Sequence, residues 1–165
     1  KLILTADKMI GPSQKVSISY PSLAEDVKVG ETILLDDGKL RLDVSEIKGD
    51  EVVTIVTQGG QLKPRKGVNL PDTELSLPSL TDKDRRDLNF ALKHNVSWVA
   101  LSFVRSADDI IELKELISKS KSGARVIAKI EKPEALDNID EIIAISDGIM
   151  VARGDLGVEI PLQNE

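Results

Sequence analysis

Two pairs of charged residues follow short apolar runs in the second half of this chain, and their types and spacing suit chemistry on a charged substrate. Lys129 and Glu131 are two residues apart at the end of one run, and Arg153 and Asp155 repeat the arrangement after the next. Residues two apart on a strand leave the same face, and neighbouring strands lie about 4.8 Å apart. Glu131 and Asp155 could therefore converge on one ion, and two carboxylates with water and substrate oxygens commonly hold Mg²⁺.

Two further features complete this candidate site. Lys129 would place a compact positive charge beside a transferring phosphoryl group or a developing enolate. Gly154 has no Cβ, so backbone N–H groups near it could approach an anion closely. The alternative interpretation is that these charges are solvated strand ends. Residues 153–155 also spell the Arg-Gly-Asp adhesion tripeptide, but that motif works on an exposed loop tip and here it follows an apolar strand.

The elements that must position these residues alternate between helical and strand patterns. Thr81 and Asp84 predict a capping box at the start of one helix, and Ser106 and Asp109 predict a second. Pro133 favours the first turn of a third helix, which continues to residue 143 at helical spacing. Between the helices, apolar runs predict three buried strands, at residues 96–103, 125–130 and 148–151. This order predicts parallel strands joined by crossovers, as in part of a larger barrel or open sheet.

The first part of the chain has a sequence pattern that is typical of short strands. Residues 31–35 and 39–44 flank an Asp36-Asp37-Gly38 turn and predict a hairpin, in which turn preference explains both aspartates. Residues 51–57 are rich in β-branched side chains and precede a Gly-Gly turn. Few positions in this region have helical periodicity, so we expect a small all-β domain.

The sequence changes near residue 70 from strand patterns to alternating helix and strand patterns, which predicts two domains. We expect a barrel-like β domain over residues 1–70 and a partial (β/α) barrel segment over residues 71–165. Gly67 and Pro71 predict a hinge between them, because one is free to rotate and the other is stiff. The basic cluster at residues 63–67 is either a solvated linker or a contact for phosphate groups.

Two single residues have structural explanations. His94 is the only imidazole of the chain and is expected to be a cation at a helix C-terminus rather than a ligand or a base. Trp98 falls within a strand pattern and is expected to pack in the core or against a helix.

Composition excludes several functional classes. The 165 residues include 22 Lys and Arg against 28 Asp and Glu, no Cys, and only one Trp, one Tyr and two Phe. An acidic chain with few aromatics does not suit nucleic acid, which binds through cations and stacking. Without Cys there is no disulfide, thiolate zinc site or cysteine nucleophile. We also expect no membrane span and no secretory signal. Because the first residue is Lys1, we expect the chain to be processed or cut from something longer.

Three stretches of the chain resemble the pyruvate kinase family. Residues 127–131 and 147–157 together are similar to the most specific stretch of that family, residues 66–71 to a second signature, and residues 102–105 to a third. They occur in the family's order and at plausible separations. The resemblance covers essentially the whole chain, and it implies most of the small β lid domain followed by the middle units of a TIM-type (β/α)8 barrel.

The resemblance implies a reaction and a set of roles. The family transfers the phosphoryl group of phosphoenolpyruvate to ADP, giving pyruvate and ATP in glycolysis, with Mg²⁺ or Mn²⁺ and usually K⁺. Glu131 and Asp155 would hold the divalent metal, and Lys129 would stabilise the phosphoryl and enolate charge. Gly154 and Asp155 would offer backbone N–H groups to the substrate carboxylate, and Lys66 would reach the nucleotide phosphates. No stretch of this chain matches a K⁺ site.

The resemblance also implies a context for the segment. The parent enzyme would be a homotetramer in the cytoplasm, with the plastid as an alternative compartment. Because other barrel strands and their binding residues are not among these 165 residues, we expect the isolated chain to be inactive. Two other functions stay open: an Mg²⁺-dependent lyase or aldolase barrel that forms an enolate, and an isolated β binding module without catalysis.

Overall fold

The chain divides into two compact units, Lys1–Ser76 and Leu77–Glu165. The computed structural model describes residues 1–8 and 14–160. The division falls later than the expected boundary at residue 70, because residues 71–76 form hydrogen bonds with the first unit. The Thr73 hydroxyl donates to Glu31 at 2.7 Å, and the Ser76 N–H donates to Asp26 at 2.8 Å.

The first unit is a six-stranded sheet in the order β2-β1-β5-β4-β3-β6. All neighbours are antiparallel except β1 and β2. A one-turn helix, α1, is the departure from the expected all-β composition. The elements are β1 Leu2–Thr5, β2 Lys15–Ser17, α1 Leu23–Asp26, β3 Thr32–Leu35, β4 Leu40–Lys48, β5 Glu51–Gln58 and β6 Val68–Asn69.

The predicted hairpin is confirmed as β3 paired with β4. Its turn places Asp36, Asp37 and Gly38 at φ values of 52°, 56° and 77°. Asp and Gly tolerate this left-handed region better than other residues, which explains their choice here. The core of the unit forms behind these strands, where Leu4, Ile33 and other apolar side chains are fully buried.

The predicted hinge at residues 66–71 is wrong. Val68 and Asn69 pair with Leu35 and Leu34 of β3, and Leu70 is buried in the core of the first unit. The carbonyl oxygen of Gly67 also accepts the Asp36 N–H at 3.1 Å. Glycine and proline flanking a short strand look like a flexible connector in sequence, and only the pairing with β3 distinguishes the two.

The second unit confirms the predicted alternation of helices and parallel strands. Its sheet has three strands in the order β7-β8-β9, all parallel. None of the helices in the described part of the chain is long and apolar enough to cross a bilayer. The elements are α2 Asp82–Lys93, β7 Trp98–Leu101, α3 Ala107–Lys119, β8 Arg125–Ile130, α4 Pro133–Asp137, α5 Ile139–Ile145, β9 Gly148–Val151 and α6 Arg153–Glu159.

The predicted helix starts are confirmed. Thr81 and Asp84 form the capping box of α2, and Ser106 donates its N–H to Asp109 at 3.2 Å at the start of α3. Pro133 occupies the first turn of α4.

The third helix, however, is broken into two. Asn138 has φ −108° and ψ 18° between α4 and α5, which interrupts the expected single helix to residue 143. Its side-chain amide donates to the carbonyl oxygens of Arg105 at 3.0 Å and Glu134 at 3.1 Å. A side chain that bonds backbone carbonyls competes with the regular helix, which is why Asn is a poor interior residue.

Two expectations about burial are wrong. In β9, Ile149, Met150 and Val151 are exposed by 37%, 44% and 58%. Trp98 is 41% exposed, and the Arg125 guanidinium lies 4.2 Å from its ring centroid. Both β7 and β9 flank β8 within this sheet, and an apolar strand pattern alone does not distinguish a central strand from a flanking one.

Candidate active site

The C-terminal end of β8 brings together the first predicted pair of charged residues. Val126, Ala128 and Ile130 alternate into the core and are at most 1% exposed, which directs Lys129 to the other face. Glu131 follows the strand and is only 2% exposed. The Lys129 ammonium forms an ion pair with Oε1 of Glu131, so the buried carboxylate has a cation beside it.

The segment after β7 holds both of these groups. Leu101 is the register partner of Ala128, so the residues that follow β7 and β8 run side by side. Ser102 Oγ accepts a hydrogen bond from Lys129 Nζ at 2.9 Å, and the Phe103 N–H donates to Oε2 of Glu131 at 2.8 Å. Each charged group therefore has a second, directional contact.

Phe103 makes its contact from a strained backbone. Its φ is 56°, in the left-handed region that bulky side chains rarely adopt. Such strain costs about 1–3 kcal/mol and persists where the surroundings require it. Sequence reasoning assigned no role to Ser102 or Phe103. The resemblance of residues 102–105 to a family signature was the one signal that could have pointed to them.

The second predicted pair is arranged differently from the first. Arg153, Gly154 and Asp155 form the first turn of α6 rather than an extension of β9. Residues two apart on a helix do not face the same way, so the prediction that Arg153 and Asp155 leave one face of a strand is wrong. Asp155 is exposed, and its N–H donates to the carbonyl oxygen of Ala152 at 3.1 Å.

Backbone pairing nevertheless brings the start of α6 to the end of β8. Ile130 is the register partner of Val151, and the Ala152 N–H donates to the Ile130 carbonyl oxygen at 3.1 Å. Glu131 and the first turn of α6 therefore begin at the same edge of the parallel sheet. Open α/β sheets and barrels build their sites at this edge.

The donor set fits a hard divalent cation. Glu131 and Asp155 offer carboxylate oxygens, which Mg²⁺ prefers, and it usually needs only one or two of them with substrate and water. Among residues 1–8 and 14–160, no group of three or more His, Cys, Asp and Glu side chains gathers to form a complete protein cage.

Lys66 belongs to the first unit and has a defined partner there. Its ammonium lies 2.8 Å from Oδ1 of Asp36, and Lys39 lies 3.5 Å from the same oxygen. The hydrogen bond between Lys66 and Asp36 raises the pKa of Lys66 and lowers the pKa of Asp36. The Lys66 side chain is still 34% exposed, so this cation is held in place while part of it faces solvent.

His94 lies where the sequence predicted, at the C-cap of α2. Its ring packs against Phe90 with the two ring centroids 4.4 Å apart.

Comparisons with known proteins agree on one family. The family model described as the barrel domain of pyruvate kinase matches residues 1–164. The chain is 46% identical over 166 residues to a pyruvate kinase of Geobacillus stearothermophilus, and 46% identical over 159 residues to one of Clostridium perfringens. A crystal structure of a pyruvate kinase from Cryptosporidium parvum superposes with a TM-score of 0.89 at 42% identity.

These relatives are much longer than the chain. The matches cover 99% and 96% of this chain but 28% and 34% of the two bacterial relatives. The crystal structure is matched over 99% of this chain and 35% of its own. The chain thus spans about a third of the length of the proteins that it resembles.

Proposed function

Because this chain belongs to the pyruvate kinase family, we propose that it is part of an enzyme that transfers the phosphoryl group of phosphoenolpyruvate to ADP. The bond between phosphorus and the enol oxygen of phosphoenolpyruvate breaks, and a bond to a terminal oxygen of ADP forms. The enolate that remains takes a proton at carbon and becomes pyruvate. The observation that carries this proposal is the ion pair between Lys129 and the buried Glu131 at the end of β8, with both groups held from the segment after β7.

Lys129 supplies positive charge where negative charge develops. The ammonium bonds Ser102 and Glu131, so its position is set before substrate arrives. A fixed charge in a site with little water stabilises a transferring phosphoryl group and an enolate oxygen more than a mobile one. When a substrate phosphate competes for Lys129, Ser102 can continue to hold the ammonium.

Glu131 and Asp155 would hold Mg²⁺ or Mn²⁺. When bound, the metal neutralises phosphate and enolate oxygens. The chain's own contribution is orientation, because the Phe103 N–H fixes one oxygen of Glu131. The family's K⁺ would be held by residues outside this chain.

Gly154 and Asp155 would receive the carboxylate of the substrate. A Cβ added at Gly154 would meet no atom within 4 Å, so the backbone there is open to an approaching group. The N–H groups in a first helical turn have no partners within the helix. In this structure the Asp155 N–H donates to the carbonyl oxygen of Ala152. A bound carboxylate would compete for that bond.

Lys66 would contact the phosphates of the nucleotide. Its partial exposure and its hydrogen bond to Asp36 support this role, because they orient an ammonium that still faces solvent. We assign the first unit to the lid domain of the family and the second to part of its TIM-type (β/α)8 barrel. Lys1–Ser76 forms one compact unit, which supports a lid domain that is slightly longer than residues 1–70.

The segment would act only within the whole protein. The remaining barrel strands and the phosphate, K⁺ and later substrate ligands lie outside it, so we propose that residues 1–165 alone are inactive. The whole enzyme is proposed to be a homotetramer in the cytoplasm, with phosphoenolpyruvate and ADP as substrates.

An assay of the whole protein tests this function. Pyruvate formation from phosphoenolpyruvate should require both ADP and Mg²⁺ or Mn²⁺, and Asp155→Asn should weaken Mn²⁺ binding while leaving the fold intact. Lys83→Met, which alters an exposed ion pair on α2, is the matched control. Pyruvate formation without ADP, or unchanged Mn²⁺ affinity in Asp155→Asn, would show that the assignment is wrong.

A further inference from the structure

An ion pair that the proposed chemistry does not use is buried close to the site in sequence. Lys132 and Glu159 lie 2.6 Å apart, and their side chains are only 4% and 2% exposed. Lys132 occupies the N-cap position of α4, directly after Glu131, and Glu159 is the last residue of α6. Lys and Glu are rarely buried this completely unless they are paired.

Burial of this pair is not explained by stability alone. Removing two charges from water is costly, and replacing a buried ion pair by apolar side chains of similar size is often neutral or stabilising. An apolar pair would also suit the surroundings, because Leu156 of the same helix already packs in the core of the unit. The Lys132–Glu159 ion pair has a fixed geometry that an apolar contact lacks, so it can hold the end of α6 in one position.

The pair completes a connection at both ends of α6. At the start of the helix, the Ala152 N–H bonds the Ile130 carbonyl oxygen, and at its end Glu159 bonds Lys132. Ile130 and Lys132 are the two residues that flank Glu131. The helix that carries Asp155 is therefore tied on either side of the residue that carries the other carboxylate.

We propose that Lys132 and Glu159 are positioning residues that fix α6, and with it Asp155, against the segment that carries Glu131. The ion pair keeps the two carboxylates in the relative orientation in which they share a divalent cation. Neither residue touches substrate or metal in this role. The link to metal affinity rests on the proposed function, whereas the fixing of α6 does not.

Two variants of the whole protein separate positioning from stability. Lys132→Met removes the cation that lies beside the buried Glu159 carboxylate, and it should lower the Tm. Lys132→Met combined with Glu159→Leu should restore the Tm, because no charge is left buried. In the double variant, hydrogen exchange in residues 152–160 should still be faster than in the wild type, and the Kd for Mn²⁺ should rise about tenfold or more.

Lys83→Met is again the control, and it should leave the Tm, the exchange rates and the Mn²⁺ affinity unchanged. A double variant with wild-type exchange in residues 152–160 and wild-type Mn²⁺ affinity would overturn the proposal. Faster exchange with unchanged Mn²⁺ affinity would also overturn it, because α6 would then not set the site. A wild-type protein that binds no Mn²⁺ would instead refute the proposed function, and the exchange measurement would still decide whether the pair fixes α6.

Discussion

The two units of this chain differ in how far they bury the charged side chains of interest. In the first, the functional candidate Lys66 pairs with Asp36 at a hairpin turn and remains 34% exposed. In the second, the side chains of Glu131, Lys132 and Glu159 are at most 4% exposed and lie near the ends of β8 and α6. The first unit is built mainly from antiparallel strands and the second from parallel ones.

Strand direction explains this difference. Antiparallel neighbours end at opposite edges of a sheet, so the charged residues at their ends are spread over both. Parallel neighbours all end at one edge, so the residues after β7, β8 and β9 must meet there. A charge at such a crowded edge loses water and interacts more strongly with its partners than an exposed pair does. The comparison teaches that buried charge collects in the second unit, while the Lys66 cation of the first unit is oriented by Asp36 and stays partly exposed.

The largest effect should come from the Lys129 ammonium, which pairs with the buried Glu131 carboxylate. Lys129→Met removes charge that stabilises the transition state, and kcat of the whole enzyme should fall about 10²–10³-fold, as for the loss of one preorganised donor. Lys114→Met is a control within the same unit, since Lys114 pairs with Asp147 at the surface. Steady-state kinetics would contradict the comparison if the two variants lost activity equally.

A smaller and more selective effect is expected in the first unit. Lys66→Ala should raise the KM for ADP about tenfold, because one hydrogen bond to a charged phosphate is lost. The KM for phosphoenolpyruvate should change much less. Lys63→Ala, in the same basic cluster, is the control. Equal changes in both KM values would mean that Lys66 does not act on the nucleotide.

Ser102 tests whether the segment after β7 acts through Lys129. Ser102→Ala removes the hydroxyl that holds the ammonium, and kcat should fall about tenfold, since hydrogen bonds to charged groups are worth at least 1.5 kcal/mol. Ser102→Thr keeps a hydroxyl and should recover most of the rate. If Ser102→Thr is as slow as Ser102→Ala, the role of the hydroxyl is refuted.

The smallest effect concerns a charge that stabilises structure without taking part in chemistry. Hydrogen bonds from the Thr81 side chain and N–H lower the pKa of Asp84 in the folded state. This carboxylate therefore contributes stability above its unfolded pKa, and the contribution is lost as pH falls through the folded pKa. At pH 7, Asp84→Ala should reduce the free energy of unfolding by about 1 kcal/mol.

Thermal unfolding between neutral and acidic pH measures this contribution. The difference between the wild type and Asp84→Ala should shrink as the pH falls, whereas kcat at neutral pH should stay unchanged. Asp82→Ala, one position into the same helix, is the control and should have the smaller effect. A difference that stays constant down to the acid transition would show that the charge of Asp84 does not matter.

Local patterns in the sequence determined much of this protein. The hairpin around Asp36, the helix starts at Thr81 and Ser106, and the parallel order of the strands all depend on residues close in sequence. The same holds for Lys129 and Glu131, because strand alternation and the end of an apolar run are enough to bring them together. The family was also recognisable from short stretches alone.

Contacts between distant residues were decided only by the tertiary structure. Pairing with β3 turned an expected hinge into β6, and Asn138 broke a helix by bonding the carbonyl oxygen of Arg105. The strained Phe103 holds Glu131, and Lys132 is buried against Glu159, 27 residues away. No local pattern encodes these contacts, because each depends on which segments the fold brings side by side. The sequence thus determined which groups could act, and packing decided what holds each of them in place.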